Sequence, residues 1–136
     1  GLGDVYKRQD LIITADTMVF LGNDRLGKPR DEEDALRMLR ELAGRAHTVC
    51  TGVSVRRGAQ EERFAVSTRV FFRPMTDDEI RAYIKTGEPM DKAGAYGVQS
   101  RGALFVERID GDFFNVMGLP VEQLGLVLVR FGVKLL

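Results

Sequence analysis

The sequence predicts an α/β domain: a mixed, twisted sheet with flanking helices. Three observations carry that expectation. Leu11-Ile12-Ile13-Thr14-Ala15 is a short continuous apolar run rich in β-branching, the pattern of a strand buried on both faces. Residues 49–55 and 64–72 alternate apolar and polar side chains on either side of Arg57-Gly58-Ala59-Gln60, which reads as a long antiparallel hairpin. Between and after these come stretches with helical spacing. Strands and helices therefore interleave along the chain, with at least one hairpin among them.

The elements follow in order. Met18 to Leu21 continue the first strand or form a second, and Gly22-Asn23-Asp24 is turn chemistry. Gly27-Lys28-Pro29-Arg30 is a loop in which Pro29 holds Lys28 extended. Asp31 caps a helix whose first turn is acidic and whose Ala35, Met38, Leu39 and Leu42 form one apolar stripe, with the charges on a solvated face and Gly44 as the stop. Thr76-Asp77-Asp78-Glu79 is a capping box, followed by Ile80, Tyr83 and Ile84 on one helical face and a stop at Gly87. Ala103 to Ile109 is expected as a strand, Asp110-Gly111-Asp112 as a turn, and Phe113 to Met117 as a short extended segment. Gly118-Leu119-Pro120 opens a last helix with Pro at its first position, burying Val121, Leu124, Val127, Leu128 and Phe131.

At 136 residues the chain is one domain or most of one. Its 20 basic and 20 acidic residues cancel, which leaves no electrostatic footprint for nucleic acid or an anionic membrane. A single cysteine, Cys50, excludes an intrachain disulfide, and one cysteine with one histidine excludes a Cys/His zinc cage. Cys50 lies in an alternating strand, where a buried inert thiol is the default, and a nucleophilic pair with His47 is not supported by the pattern. No apolar run approaches the roughly 20 residues of a membrane span. A cytoplasmic enzyme or binding domain fits these bounds. Residues 1–9 match no element pattern and are set aside as a non-native or disordered leader, so the domain is taken as 10–136.

The chemistry concentrates in Asp91-Lys92-Ala93-Gly94-Ala95-Tyr96-Gly97-Val98-Gln99, which has no periodicity. Its glycines permit close approach of backbone to a ligand. Lys92 suits a phosphate, Asp91 a metal or the orientation of that lysine, and Gln99 the edge of a base, since an amide both donates and accepts. A glycine-rich loop with solvated charges is the plain alternative. Asp16 stands past the apolar run, where open α/β sheets place ligands, although an aspartate there is more commonly a turn or cap residue. Lys28 before its proline is either solvated or aimed at a site.

Taken in order, Ala15-Asp16-Thr17, Gly27-Lys28-Pro29, the Leu-x-Gly-x-x-His-x-Val-x-Thr-Gly run ending at Gly52, Asp91 to Gln99, and Asn115-Val116-Met117-Gly118-Leu119-Pro120 resemble the Maf family of nucleotide pyrophosphatases, over essentially all of residues 10–136. The resemblance implies an inosine-triphosphatase-like fold and hydrolysis of a nucleoside triphosphate to the monophosphate and pyrophosphate with a divalent metal, Mg2+ or Mn2+. It implies Asp16 as the proton acceptor that activates water, Lys28 on the phosphates, Thr17 and Gln99 in base selection, and Asp91 and Lys92 in metal or phosphate contact. Ala-Asp-Thr with Tyr-Gly-x-Gln looks like the subgroup acting on dTTP and UTP rather than 7-methyl-GTP. The family often forms homodimers, and nothing in the sequence locates such an interface.

This sequence departs from the family in lacking the opening strand, the Ser-Pro-Arg-Arg motif, and the acid and lysine that precede Ala-Asp-Thr. A truncated domain of poor activity or stability is the expectation from that departure. Phe113 stands where the family often has Tyr. Three other readings remain: a catalytically weak nucleotide-binding module tied to septum formation and division arrest, a structural interaction domain that kept only the fold, and a pyrophosphatase for modified or different bases. One physical expectation is sharper than the rest: Asp16 and Gln99 should line one cleft.

Overall fold

Period-two alternation dictates the centre of the molecule. In the computed structural model, which describes residues 10–136, the leader assigned to residues 1–9 lies outside the described residues. β1 (Ile12–Leu21) runs as one strand, and a turn at Gly22, where φ is 61°, reverses it into the short β2 (Asp24–Leu26). Helix α1 (Glu32–Leu42) follows, then the expected hairpin of β3 (Ala46–Arg57) and β4 (Gln60–Phe72), in register from Ala46↔Phe71 to Arg57↔Gln60. Helix α2 (Asp77–Lys85), a run of tight turns over 88–105, β5 (Val106–Asp110), and helices α3 (Phe113–Met117) and α4 (Val121–Arg130) complete the chain.

The sheet order is β2-β1-β3-β4-β5. Helices flank it as expected, but every pairing among the described strands is antiparallel, so the parallel component of a mixed sheet is absent from them. One face carries the core. His47, Val49, Thr51, Val53 and Val55 of β3 are buried, while the alternate residues are half-exposed. At one end Leu39, Leu42 and Ile80 of α1 and α2 pack against Val19, Val49 and Val70. At the other, Leu124 and Val127 of α4 pack against Val53 and Val55. Leu39 and Leu42 are fully buried, and truncating either to alanine should cost about 2–5 kcal/mol.

The caps are those written in the sequence. Asp31 Oδ1 accepts from the Asp34 amide at 2.8 Å, and Thr76 and Glu79 form the reciprocal capping box. Not all α1 charges are solvated, however. Asp34 is buried, accepting from the Arg30 amide at 3.0 Å and from Arg37 Nη2 at 2.9 Å, and these bonds hold its carboxyl down at about 2.

Other expectations are corrected. Ile12 to Asp16 are exposed rather than buried on both faces. From Ile12 to Met18 β1 pairs only with β3 among the described residues, β2 reaches no further than Val19, and α4 seats on β3 instead. The strand expected from Ala103 begins at Val106, because a tight turn over Arg101–Phe105 carries Phe105 into the core. Phe113–Met117 is a short helix, since Asp112 Oδ1 caps it by accepting from the Asn115 amide. Pro120 sits at the N-cap of α4, one residue earlier than expected, and Val121 is 50% exposed. Cys50 is half-buried on the face of β3 opposite to His47.

Candidate functional site

A cleft of about 610 Å³ lies between the sheet and the 92–100 loop, with Thr17, Val19 and Val49 on one side and Lys28, Lys92 and Gln99 on the other. Its floor is apolar and its polar groups are few, the usual composition of a small-molecule site. The structure thus brings together Thr17, Lys28, Lys92 and Gln99, four of the six residues singled out from sequence.

The loop is held by backbone and side-chain hydrogen bonds. The Gly94 amide donates to the Gly27 carbonyl at 3.1 Å, which ties this loop to the one bearing Lys28. Gly94 adopts φ 74°, and a Cβ there would lie 3.0 Å from Val19 Cγ1. Ala95 follows at φ 65°, a conformation that costs a non-glycine residue about 1–2 kcal/mol. It is fully buried, so its surroundings enforce the strain. Tyr96 is anchored by a 2.6 Å hydrogen bond between its hydroxyl and His47 Nε2. The Tyr83 hydroxyl accepts from the Gly97 amide at 3.0 Å and donates to the Glu88 carboxylate.

Glu88 was missed in the sequence, where it reads only as part of a helix stop. Its carboxylate accepts from the Tyr83 and Ser100 hydroxyls and from the amides of Gly102 at 3.1 Å and Arg101 at 3.3 Å. Burial pushes this carboxyl up, but those donors outweigh it and hold the group below its ordinary value. Both ends of the Gln99-bearing turn are thereby fastened to one anion.

Lys92 Nζ donates to Asp91 Oδ1 at 2.9 Å and to the Glu88 carbonyl at 3.2 Å. The hydrogen bond from Lys92, its charge and the charge of Lys28 together lower the Asp91 carboxyl. Asp91 thus orients a lysine at the mouth of the cleft. Both Lys92 and the exposed Asp91 stay accessible to an anion or its counter-ion.

Asp16 is not in this cleft. Neighbouring residues of a strand face opposite sides of the sheet. Thr17 therefore points with Thr51 toward the cleft, while Asp16 lies across from Gly52 in a second, open concavity of about 500 Å³. That concavity also carries Ser54, Arg56, Glu61 and Arg63 and shares no lining residue with the first. The expected common cleft of Asp16 and Gln99 is therefore not found. No three His, Cys, Asp or Glu side chains gather as a metal cage among the described residues. No carboxylate lines the first cleft, so its donor set among the described residues does not fit a resident ion.

An antiparallel sheet with an apolar cleft edged by two lysines, a hydroxyl and an amide offers positive charge and neutral hydrogen-bonding groups to a small ligand. The family model described as Maf-like protein matches residues 3–131, and the chain belongs to that family. The match begins inside the stretch 1–9, which follows no element pattern. The chain is 51% identical over 124 residues to a dTTP/UTP pyrophosphatase of Bacillus velezensis, covering 91% of this chain and 66% of the relative. It is 49% identical over 131 residues to one of Dictyoglomus turgidum, covering 95% and 68%. With the dTTP/UTP pyrophosphatase of Thermococcus kodakarensis it shares 52% identity over 122 residues, covering 88% and 65%. The chain thus spans about two thirds of the length of these curated relatives.

Proposed function

We propose that this chain is a nucleoside triphosphate pyrophosphatase that hydrolyses dTTP and UTP to the monophosphate and pyrophosphate. The observation that carries the reading is the convergence of Thr17, Lys28, Lys92 and Gln99 on one cleft, in a chain about half identical to proteins named for that activity. Thr17 and Gln99 take the base edge. Lys28 and Lys92 take the phosphates as point charges, with Asp91 aiming Lys92. A divalent ion, Mg2+ or Mn2+, enters bound to the triphosphate rather than to a protein cage, as Mg2+ commonly does.

Asp16 enters this scheme from the edge of the sheet. β1 has no strand beyond it from Ile12 to Met18 among the described residues, and the Asp16 side chain is exposed one residue from Thr17. A triphosphate whose base rests by Thr17 reaches Asp16 by bending over that edge. Water then forms a bond to the α-phosphorus, the α–β anhydride bond breaks with pyrophosphate leaving, and the water's proton passes to the Asp16 carboxylate. A cytoplasmic setting and a homodimer, both expected from the family resemblance, belong to the same reading. Among the described residues no helix is long and apolar enough to cross a membrane.

The separation of Asp16 from the cleft favours a second reading, a module that binds nucleotide without turning it over. Pyrophosphate release from dTTP, UTP, CTP and 7-methyl-GTP, measured beside nucleotide-induced thermal stabilisation, separates the two. Release from dTTP and UTP supports the enzyme. Stabilisation without release supports the module, and neither effect removes both.

A further inference from the structure

We propose that Thr51, which lies beneath the cleft and is absent from its lining, fixes Thr17 Oγ1 as a hydrogen-bond acceptor, so that the cleft selects a nucleobase presenting a ring N–H. The proposal rests on the nucleotide reading above and assigns its base selectivity to a positioning residue. Thr17 and Thr51 are register partners on β1 and β3, and their Oγ1 atoms lie 2.9 Å apart. Thr51 is fully buried, and its Oγ1 also lies 3.2 Å from the Asn115 carbonyl oxygen.

A hydroxyl has one proton to give, and a carbonyl has none. When Thr51 donates to Asn115, its lone pairs receive the Thr17 proton, and both hydroxyl protons find protein acceptors. The reverse direction leaves the Asn115 contact unused and the Thr17 proton without a protein partner. The first direction therefore makes one bond more, at a site where Thr51 has no water to fall back on.

Asn115 cannot turn away. Its Nδ2 donates to the Val49 carbonyl at 3.1 Å, the Val66 carbonyl at 2.9 Å and Thr68 Oγ1 at 3.0 Å, and its own amide donates to Asp112 Oδ1 at 3.2 Å. Thr17 is left presenting lone pairs only. That oxygen belongs to a residue lining the cleft, beside Gly118.

Uracil and thymine carry a proton on N3, where cytosine carries a lone pair. An acceptor-only Thr17 bonds the first and opposes the second. Gln99 cannot make this distinction, because it is exposed and its amide turns to offer either a donor or an acceptor. Loss of one such bond together with an unpaired acceptor corresponds to a discrimination of roughly tenfold or more.

The test compares kcat and KM for UTP and CTP in the full chain, its Thr51→Val variant and its Thr51→Ser variant. Wild type should favour UTP by roughly tenfold or more, Thr51→Val should bring the ratio within about threefold by freeing the Thr17 hydroxyl, and Thr51→Ser should restore it. A folded Thr51→Val protein with the wild-type ratio overturns the inference and leaves the pyrophosphatase reading standing. If wild type binds nucleotides without turnover, the same ratio is read from Kd values. If Thr51→Val does not fold, wild type is titrated with UTP and N3-methyl-UTP. Weaker binding of the methylated nucleotide supports the proposal and equal binding overturns it. Wild type that binds no nucleotide overturns the functional reading itself, and this proposal with it.

Discussion

The Tyr96 hydroxyl meets His47 Nε2 at 2.6 Å inside a cluster of edge-to-face rings, with Phe72 4.9 Å from the His47 ring and 4.7 Å from that of Tyr96. Burial there pushes the His47 imidazole down to about 4. The folded state thus binds a proton less readily than the unfolded chain, whose histidine titrates near 6.5. Its contribution is complete above pH 6.5 and is lost as pH falls toward 4. Urea unfolding should show about 2 kcal/mol of stability lost from this group between pH 7 and pH 5. A His47→Gln variant with the same pH slope as wild type would count against the assignment.

Removing the Asp16 carboxylate tests the edge-crossing geometry. Asp16→Asn changes an exposed side chain opposite Gly52, so melting temperature and UTP affinity should stay near wild type while pyrophosphate release drops at least a hundredfold, within the roughly 10²–10⁴ range of a lost general base. Undiminished release sinks the role.

Glu88→Gln keeps the size of the anchor and removes its charge. The four donors that converge on this carboxylate then face a group that offers only one oxygen acceptor. Stability should fall by roughly 2 kcal/mol, since hydrogen bonds to a charged group are the stronger kind. Nucleotide affinity should fall in parallel as the Gln99 turn loosens. Thermal melts and a UTP titration read the two effects, and a variant matching wild type in both refutes the anchoring role.

Lysine neutralisation should separate binding from reading. Lys28→Ala and Lys92→Ala should each weaken UTP binding about tenfold at low salt and less at high salt, because exposed charges are screened. The UTP-to-CTP ratio should not move, since neither lysine touches the Thr17–Thr51 pair. Calorimetric titration at two ionic strengths checks both statements.

Much of the fold was legible because its elements are long enough to show a period. The β3–β4 alternation, the Ala35–Leu42 stripe and the Thr76–Glu79 box each encode their own geometry. Helix α3 was illegible because five residues make barely more than one turn, and its cap, Asp112, looks identical to a turn aspartate. The site was legible as a set of motifs but not as a surface. Asp16 and Thr17 belong to one motif, yet the pleat of a strand sends them to different faces, a consequence that motif reading passed over. Glu88 carried no signal of its own and Thr51 showed only as one position of a motif, since each acts through partners that only folding brings near.

Gly102 sits against the Gly97 carbonyl so tightly that any Cβ would fall 2.3 Å from that oxygen. The obstacle is main chain, which cannot swing aside as a rotamer can. In a saturation library sorted for nucleotide retention, position 102 should therefore return glycine alone, alanine included among the losers, even though it contributes no side chain of its own. A purely geometric veto at this position would look, in such a survey, as stringent as a reactive residue.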